Sequence, residues 1–381
     1  MVAYPEGWKE CSFKDTGIEV LKGKIITRAN ARTGKIPVIA GGKEPAYYCD
    51  KYNRDGTTIT ISASGANAGY VNLYGGKIFA SDCSTISEAT NYDIRYIYYL
   101  LLNKQNEIYD AQTGGAQPHI HPKDIYKLSI VYTSDVSEQQ AIASILSDFD
   151  EHINNLTKLI EKKKNIRDGA LEDLTSGKTR LDGFNGEWEE CIIEDCAYIY
   201  QGGTPNTNNS KYWNGDIVWL TPGEITNNKG MFISDSERKI TLDGIKNSSA
   251  VILPKGTILL CTRATIGTLA ISEKELATNQ GFKNLFCKPN TSNIFLAYLL
   301  LTKKEEMISR AIGTTFLEIS KKELSKMEIC IPPLPEQQAI AEILTAMDEE
   351  IEALEIEKAK MEGIKEGAMD DLLTGRVRLK I

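Results

Sequence analysis

Long apolar runs, histidine and closely spaced cysteines are all scarce in this chain of 381 residues. No apolar stretch approaches the ~20 residues that a membrane-spanning helix needs, and residues 1–8 lack the charged-then-apolar layout of a secretion signal. The eight cysteines are scattered, without a Cys-x-x-Cys pair, which is typical of free thiols in a reducing cytoplasm. We therefore expect a cytoplasmic protein that is not bound to a membrane and has no zinc site.

Positive charge is also in short supply, since the formal net charge is −8. This balance argues mildly against a nucleic-acid partner, because a phosphate-binding surface needs local positive charge. It does not exclude one, because an acidic chain can present a basic patch on one face and partner subunits can supply phosphate contacts. The composition is otherwise that of a globular protein, with 41% hydrophobic and 25% charged residues, and the length predicts two domains.

Recognisable catalytic motifs are missing from the sequence. Residues 176–179 read Ser-Gly-Lys-Thr, but a phosphate-binding loop requires glycine where this chain has Glu172. Residues 331–334 read Ile-Pro-Pro-Leu and lack the polar group of the Asn/Asp-Pro-Pro-Tyr/Phe motif of adenine methyltransferases. His119 and His121 could begin a metal site, but the third histidine is distant in sequence, and such a pair more often forms a polar face. We predict no catalytic residue, no metal and no cofactor in this chain.

The chain repeats itself at an offset of 198 residues. Residues 137–181 align without gaps with residues 335–379, and 21 of the 45 aligned positions are identical. The segments that precede these repeats match more faintly. The order is therefore variable domain, similar helix, variable domain, similar helix, which a gene duplication explains. Because the helices kept their sequence while the domains diverged, we expect the two domains to perform different versions of one task.

Both repeats predict long helices. Each begins near an acidic residue, Glu138 or Glu336, and a glycine, Gly177 or Gly375, stands where a helix stop is expected. Apolar residues step by four and three along both copies, which is the period of a coiled-coil seam. The seam contains Ile142, Leu146, Phe149, Ile153 and Leu156 in the first copy and Ile340, Leu344, Met347, Ile351 and Leu354 in the second. We predict that the two helices form an antiparallel coiled coil; the alternative is that each packs only on its own domain.

The segments outside the helices predict an α/β fold of the mixed α+β kind. Strand-like runs at residues 57–62, 251–253 and 257–262 are separated by Gly, Asn and Pro turns. With the helices, this gives two domains in a pseudo-twofold internal repeat. The predicted order is domain 1 at 1–136, the central helix at 137–181, domain 2 at 182–334 and the C-terminal helix at 335–381.

The variable domains carry many side chains that can hydrogen-bond to base edges or stack on bases. Arginine can donate to two acceptors on guanine, and Asn and Gln can pair with adenine. The candidates for DNA contact, all expected in loops, are Lys43, Tyr47, Tyr52, Arg54, Asn67, Gln201, Thr204, Asn206, Lys211, Tyr212, Arg263, Asn279, Gln280 and Lys283. The alternative for any one of them is that a polar loop residue is simply solvated.

Several stretches resemble the Type I restriction-modification specificity subunits. Residues 331–341, with the run Pro-Pro-Leu-Pro-Glu-Gln-Gln, are similar to a boundary signature of this family. Residues 200–205, 212–223 and 277–282 are similar to other stretches of these subunits, so the resemblance covers essentially the whole chain. The first boundary, residues 132–137, departs from the pattern because it contains no proline.

The resemblance implies a non-catalytic subunit that binds double-stranded DNA. Each domain would read one half of a split target, and the paired helices would set the gap between the halves. Two methyltransferase subunits would dock on it and transfer a methyl group from S-adenosylmethionine to adenine. Motor-nuclease subunits, which use ATP and Mg²⁺, can join such a complex. A rod of fixed length converts protein distance into base-pair spacing, and linking two weak readers raises affinity.

Two other functions account for fewer of these features. An interaction scaffold whose domains have lost DNA recognition is favoured slightly by the acidic net charge and opposed by the intact polar loops. A self-sufficient methylase or nuclease would require motifs that the sequence lacks. A salt titration separates a scaffold from a DNA reader, because phosphate binding weakens steeply with ionic strength.

Overall fold

The computed structural model describes residues 4–313 and 317–379, which divide into two compact units. The first unit comprises Met1–Lys158 together with Ile356–Ile381, and the second comprises Leu159–Glu355. Each unit therefore contains one part of both predicted long helices. In the described residues, no helix is long and apolar enough to cross a membrane.

The first unit combines short strands with helices around one apolar core. Its elements are, in chain order, β1 (Trp8–Ser12), β2 (Leu21–Lys22), β3 (Ile36–Ile39), β4 (Tyr47–Cys49), β5 (Thr58–Ser62), β6 (Val71–Tyr74), β7 (Phe79–Ala80), β8 (Cys83–Ser87), α1 (Ile94–Asn103), α2 (Gln105–Asp110), α3 (Pro122–Ile125), β9 (Ser129–Thr133) and the beginning of the long helix α4 (Val136–Thr175). The sheets have the strand orders β2-β8-β5-β6 and β4-β3-β7, and β1 pairs with β9.

The second unit repeats this architecture. Its elements are β10 (Glu189–Ile192), α5 (Ile193–Cys196), β11 (Ala197–Gln201), β12 (Trp213–Leu220), α6 (Pro222–Asn227), β13 (Phe232–Ile233), β14 (Lys239–Ile240), α7 (Leu242–Lys246), β15 (Ile258–Cys261), β16 (Leu269–Ser272), β17 (Ala277–Thr278), β18 (Phe282–Cys287), α8 (Asn293–Thr302), α9 (Lys304–Arg310), α10 (Lys321–Ser325), β19 (Glu328–Ile331) and the beginning of the long helix α11 (Leu334–Leu372). The sheets have the orders β11-β18-β15-β16-β13 and β14-β12-β17, and β10 pairs with β19.

The strand pairings of the two units correspond one to one around their centres. The antiparallel pair β5–β8 of the first unit matches β15–β18 of the second, and the parallel pair β3–β7 matches β12–β17. The pairing of β1 with β9 likewise matches that of β10 with β19. The internal repeat, plain in sequence only in the helices, thus extends through both units.

Apolar helices α1 and α8 fill the cores. Asp93 caps α1 by accepting hydrogen bonds from the backbone of Arg95 and Tyr96, and Ser292 caps α8 by accepting one from Phe295. Most side chains of both helices are buried, and each fully buried Ile or Leu stabilises the fold by about 1.5–3 kcal/mol. The cores thus hold the sheets in place, and most of the candidate residues lie in the loops that connect the strands of these sheets.

The repeated Glu-Gln-Gln run ties each long helix to the unit in which it begins. Gln139 Nε2 donates to the carbonyl of Thr133 at 2.7 Å, while its Oε1 accepts from the backbone N–H of Asp93 at 2.8 Å. Gln337 makes the matching pair of bonds, donating to Pro332 at 2.8 Å and accepting from Ser292 at 2.8 Å. Both glutamines are buried, so these bonds hold the helix start against α1 or α8.

The buried glutamate before each glutamine forms an ion pair with a partly exposed arginine that follows the other helix. Arg378 donates to both oxygens of Glu138, at 2.9 and 3.0 Å, and Arg180 donates to both oxygens of Glu336, at 2.7 and 2.7 Å. Each pair lies within a single unit. The repeated Arg-Leu dipeptide at residues 180–181 and 378–379 is therefore part of the structure that closes each unit.

Parts of the two long helices run antiparallel within each unit, which confirms the predicted coiled-coil architecture. In the first unit, Lys365 Nζ lies 2.5 Å from Asp150 Oδ1, and in the second, Lys163 Nζ lies 2.6 Å from Glu350 Oε1. The predicted seam residues lie at buried or half-buried positions on these helices. The alternative, in which each helix packs only on its own domain, describes only the helix starts. There Ile142, for example, joins the core of the first unit.

Some predicted boundaries differ from the structure. The helices end at Thr175 and Leu372, before the predicted 181 and 381, because Gly177 and Gly375 adopt φ of +71° and +70°. Each glycine also lies against a tryptophan ring, which leaves little room for a side chain. Residues 1–3, 314–316 and 380–381 of the predicted segments lie outside the described residues. The domain limits themselves stay predictions.

The predicted strand at residues 251–253 is wrong. Val251 and Ile252 are half-exposed and unpaired in any named strand, and Leu253 forms an isolated bridge with Leu276. The apolar run serves instead as a short connection anchored by one buried leucine. The other two predicted runs form β5 and β15.

Candidate nucleic-acid interface

Three loops of the second unit meet where β11, β15 and β17 end. Thr204 Oγ1 forms a short hydrogen bond with Gln280 Oε1, and the backbone N–H of Thr262 donates to the carbonyl of Gly281 at 2.9 Å. Arg263 follows directly and pairs through its backbone with Glu318. The structure thus brings together four of the candidates, namely Thr204, Arg263, Asn279 and Gln280, on neighbouring loops that follow strands of two sheets.

Two tryptophans hold the loop that connects β11 to β12. Trp219 Nε1 donates to the carbonyl of Gly203 at 2.9 Å, and Trp213 Nε1 donates to the carbonyl of Asn206 at 3.1 Å. The indole rings pack edge to face, with centroids 5.1 Å apart. This buried pair fixes a loop whose polar side chains face solvent, among them Asn206 and Lys211.

The same loop crossing occurs in the first unit with other side chains. Ile120 N–H donates to the Ala63 carbonyl at 2.9 Å, as Ile319 N–H donates to the Thr262 carbonyl at 3.1 Å. Ser64 bridges to His119 as Arg263 bridges to Glu318. Ser64 therefore occupies the position of Arg263, and its hydroxyl hydrogen-bonds to the carboxylate of Asp82.

Several candidates of the first unit pair with neighbouring rings. Lys43 Nζ lies 5.2 Å from the ring centroid of Tyr70, and Lys77 Nζ lies 4.4 Å from that of Tyr52. Lys43 and Tyr52 are exposed. Asn67 forms a turn in which its carbonyl accepts from the Tyr70 backbone at 3.0 Å.

The sequence predicted that all candidates lie in loops, but several of them do not. Tyr47, Gln201 and Lys283 lie in β4, β11 and β18, and Tyr212 ends a 3₁₀ turn. Lys283 is only 2% exposed, and its Nζ lies 3.0 Å from Glu318 Oε1. To reach a base, Lys283 would have to leave this partner.

Two further candidates hydrogen-bond inside the first unit. Arg54 Nε donates to Thr85 Oγ1 at 2.9 Å and its Nη1 to the carbonyl of Asn53 at 2.8 Å. Tyr47 Oη donates to the carbonyl of Ile26 at 2.8 Å. The contact of each candidate residue with DNA stays a prediction.

Two exposed arginines were missed in the sequence. Arg28 stacks on the ring of Tyr47, and Arg238 stacks on Trp213. The sequence gives no sign of these arginine–ring pairs, because each arginine is far from its ring along the chain. A pattern of basic and aromatic residues within one short window would not have found them.

The described residues contain no group of three or more His, Cys, Asp or Glu side chains that could hold a metal ion. The sulfur atoms of Cys191 and Cys196 lie 3.4 Å apart. Burial, reinforced by the neighbouring Cys196 thiol, raises the pKa of the Cys191 thiol to about 12. The Cys191 thiol is therefore protonated at neutral pH and is a weak nucleophile.

Comparison with known proteins identifies the family. A family model described as the Type I restriction modification DNA specificity domain matches residues 5–166 and, a second time, residues 185–362. These matches cover most of the chain and coincide with its internal repeat. They confirm the resemblance found in the sequence and the predicted role in DNA specificity rather than catalysis.

Individual relatives agree with this match. The MjaIX specificity subunit of a Type I restriction enzyme from Methanocaldococcus jannaschii is 41% identical over 168 residues, which span 44% of this chain and 39% of that protein. The MjaVIII specificity subunit from the same organism is 26% identical over 430 residues, which span 100% of this chain and 99% of that protein.

A solved structure shares the fold. The crystal structure of the Type I restriction-modification S subunit from M. genitalium has a TM-score of 0.67 at 20% sequence identity, with 96% of both chains covered. The fold, the duplicated family match and the relatives lead to one assignment: the chain belongs to the family of Type I restriction-modification DNA specificity domains.

Proposed function

We propose that the chain reads a two-part DNA target, with one half-site recognised by each unit. The observation that carries the proposal is the loop crossing described above. Its central backbone hydrogen bond and bridge recur in both units, whereas its side chains differ, with Ser64 and His119 in one and Arg263 and Glu318 in the other. A common frame with different polar groups supports two readers that recognise different bases.

The base contacts are proposed for the candidates of both units, chiefly those with exposed or half-exposed side chains. These are Lys43, Tyr47, Tyr52, Arg54, Asn67, Gln201, Thr204, Asn206, Lys211, Tyr212, Arg263, Asn279 and Gln280. Lys283 contributes indirectly through its ion pair with Glu318, whose backbone bridges to that of Arg263. Phosphate contacts fix the register of a protein on DNA, and base-edge contacts supply the specificity.

The partners belong to the same proposal. Two methyltransferase subunits bind the chain and transfer a methyl group from S-adenosylmethionine to adenine, and motor-nuclease subunits that use ATP and Mg²⁺ can join. The chain itself supplies recognition and no catalytic group. Its long helices are proposed to set the gap between half-sites and to contribute to subunit docking.

The spacing role can be tested by lengthening both helices. One heptad inserted into α4 and one into α11 preserve the seam and add about 10 Å of helix. At about 3.4 Å per base pair, the gap between half-sites should grow by roughly three base pairs. A gap that stays unaltered in the methylated target would contradict this role.

The function itself is tested by modified-base sequencing of DNA from cells that co-express this chain with its neighbouring methyltransferase gene. Methylated adenine at one split motif, absent when the chain is omitted, is the expected result. If a stable purified complex methylates no motif, the chain is instead an interaction scaffold or a degenerate reader.

A further inference from the structure

Each unit presents an exposed arginine that lies over an aromatic ring and has no carboxylate partner in the ranges that the structure describes, unlike Arg180, which lies over Trp188 but is paired with Glu336. In the second unit, Arg238 Cζ lies 3.7 Å from the ring centroid of Trp213 and 5.6 Å from that of Trp219. In the first unit, Arg28 Cζ lies 5.5 Å from the centroid of Tyr47. Both arginines are exposed. A guanidinium held over an aromatic ring in this way keeps its charge and leaves N–H groups available to a ligand.

The two arginine–ring pairs share one equivalent position in the repeated fold. Val38 pairs with Phe79 on the parallel strand and with Tyr47 on the antiparallel one. Trp219 holds the same position, because it pairs with Ala277 and its N–H donates to the Arg238 carbonyl at 3.3 Å. Tyr47 and Arg238 are therefore equivalent residues. The strand provides the ring in one unit and the arginine in the other, yet a cation–aromatic stack results in both.

Neither guanidinium is neutralised nearby. Among the described residues, no carboxylate oxygen lies within ion-pair distance of Arg28 or Arg238, although Arg310 and Arg376 do have such partners. Arg28 Nη2 donates only to the carbonyl of Ala46, at 3.5 Å. In a chain with a net charge of −8, two unneutralised, oriented cations at matching sites indicate an anionic ligand.

The equivalence of the two sites indicates which anion. Positions that read bases must differ between the units if the units read different half-sites, as Ser64 and Arg263 do. Here the residues differ, yet each unit holds a guanidinium over an aromatic ring, and a recurring cation suits what is common to all DNA, which is the phosphate backbone. Resting on the proposed function, we propose that Arg28 and Arg238 are phosphate-contact residues that hold the DNA backbone to the first and second unit.

The test compares Arg28→Gln, Arg238→Gln and the double variant with two controls that remove one positive charge elsewhere. The controls are Arg376→Gln and Lys178→Gln. Both residues are exposed, follow the end of a long helix at equivalent positions of the repeat, and form an ion pair with a carboxylate. The full chain, co-purified with its methyltransferase, is titrated against a duplex with the methylated motif and a random-sequence duplex of equal length, from low to high salt.

Each lost phosphate contact reduces the slope of log Kd against log salt by about 0.9. We expect that reduction for each arginine variant with both duplexes, about twice that for the double variant, and none for the controls. Arg238→Lys, which keeps the charge but loses the planar stack, should keep the slope and bind more weakly by several-fold. Circular dichroism spectra matching the wild type show that the variants are folded.

Two results would overturn the proposal. An unchanged slope in both arginine variants would show that they do not neutralise phosphates. A loss confined to one half-site of the motif, without change on the random duplex, would make them base readers. The proposed function fails in a different way, namely if the wild type binds the motif no more tightly than the random duplex, and the slopes still report on the arginines in that case.

Discussion

The two units have the same backbone frame and differ in the side chains placed on it. In both, the turn that follows β5 or β15 accepts a backbone hydrogen bond from the loop near residue 120 or 319 and forms a bridge with that loop. The turn residues are Ser64 in the first unit and Arg263 in the second. The difference teaches that the fold is specified mainly by backbone pairing and apolar packing, which leaves the polar side chains free to diverge.

A second difference concerns the joints, by which we mean the ion pairs of Glu138 and Glu336 at the starts of the two long helices. Trp8 Nε1 donates to the buried Glu138 at 3.1 Å, in addition to the two bonds from Arg378. Trp188 holds the matching position, but in the described part of the chain its Nε1 has no hydrogen-bond partner. The first joint therefore has one charge-assisted hydrogen bond more than the second.

The largest loss of stability is expected from removing the additional hydrogen bond between Trp8 and Glu138. Trp8→Phe should destabilise the protein by about 2 kcal/mol more than Trp188→Phe, because a hydrogen bond to a charged group contributes about 1.5–3 kcal/mol. Both substitutions remove the same ring volume, so their difference isolates the bond. Urea unfolding of the two variants measures it, and equal losses of stability would show that the Trp8 bond contributes nothing.

The base-reading positions should respond separately. Arg263→Ala is expected to relax recognition in one half of the target only, and Ser64→Ala in the other half only. A lost base contact costs about 1–3 kcal/mol of discrimination against the wrong base. Binding to a panel of duplexes with single changes in each half provides the measurement. If Arg263→Ala affected both halves equally, the assignment of one half-site to each unit would be wrong.

Tyr99 and Tyr298 make equivalent hydrogen bonds in the two units, so they test whether equivalent contacts contribute equally to stability. Tyr99 Oη donates to Asp150 at 2.6 Å, and Tyr298 Oη donates to Asp348 at 2.7 Å. Each Phe variant should lose about 1.5 kcal/mol, because the acceptor is charged. The two losses should be equal, and chemical unfolding of both variants would refute the equivalence if they differed severalfold.

The same tyrosines predict a dependence on pH. Burial, followed by the hydrogen bond to the aspartate, raises the pKa of both hydroxyls above the ordinary value of about 10. A group whose pKa is raised in the folded state stabilises it below the unfolded pKa and loses that contribution as the pH rises through the folded value. The stability difference between the wild type and the Phe variants should therefore shrink above about pH 10, and a difference that grew there would contradict the assignment.

The smallest effect concerns the turn itself. Gly65 and Ala264 occupy the same turn with φ of +83° and +64°. Gly65→Ala should cost about 1 kcal/mol from the left-handed backbone alone, since nothing lies within 4 Å of the added Cβ. Ala264→Gly should change stability by less than about 0.5 kcal/mol, because relieved strain offsets the entropy of glycine. Thermal unfolding would contradict this if Gly65→Ala were neutral.

The long helices could be predicted because their signals are local. The seam repeats every three or four residues, and Gly177 and Gly375 adopt the positive φ expected after a helix end. The fold of the units could be predicted only as a class. Strands such as β7 and β17 contain two residues each, and their parallel pairing with distant strands leaves no periodic pattern in the sequence.

The candidate site was predicted less completely for the same reason. A polar residue such as Lys283 can be read from the sequence, but its burial against Glu318 depends on a contact with a distant loop. Arg28 and Arg238 were missed because their importance comes from rings on other strands. Residue type predicts what a side chain can bind, whereas only the tertiary contacts decide whether it is available.

The Arg378–Glu138 pair has a consequence for how the gene can be arranged. Arg378 also donates to the carbonyl of Glu6 at 3.3 Å, so residues 6 and 378 lie side by side in the first unit. Arg180 closes the second unit in the same way, followed by an exposed segment at residues 182–187. A circular permutant that links the segments at residues 6 and 378 and has new termini within residues 182–187 should keep both ion pairs. The order in which the two readers are encoded is therefore not imposed by the fold.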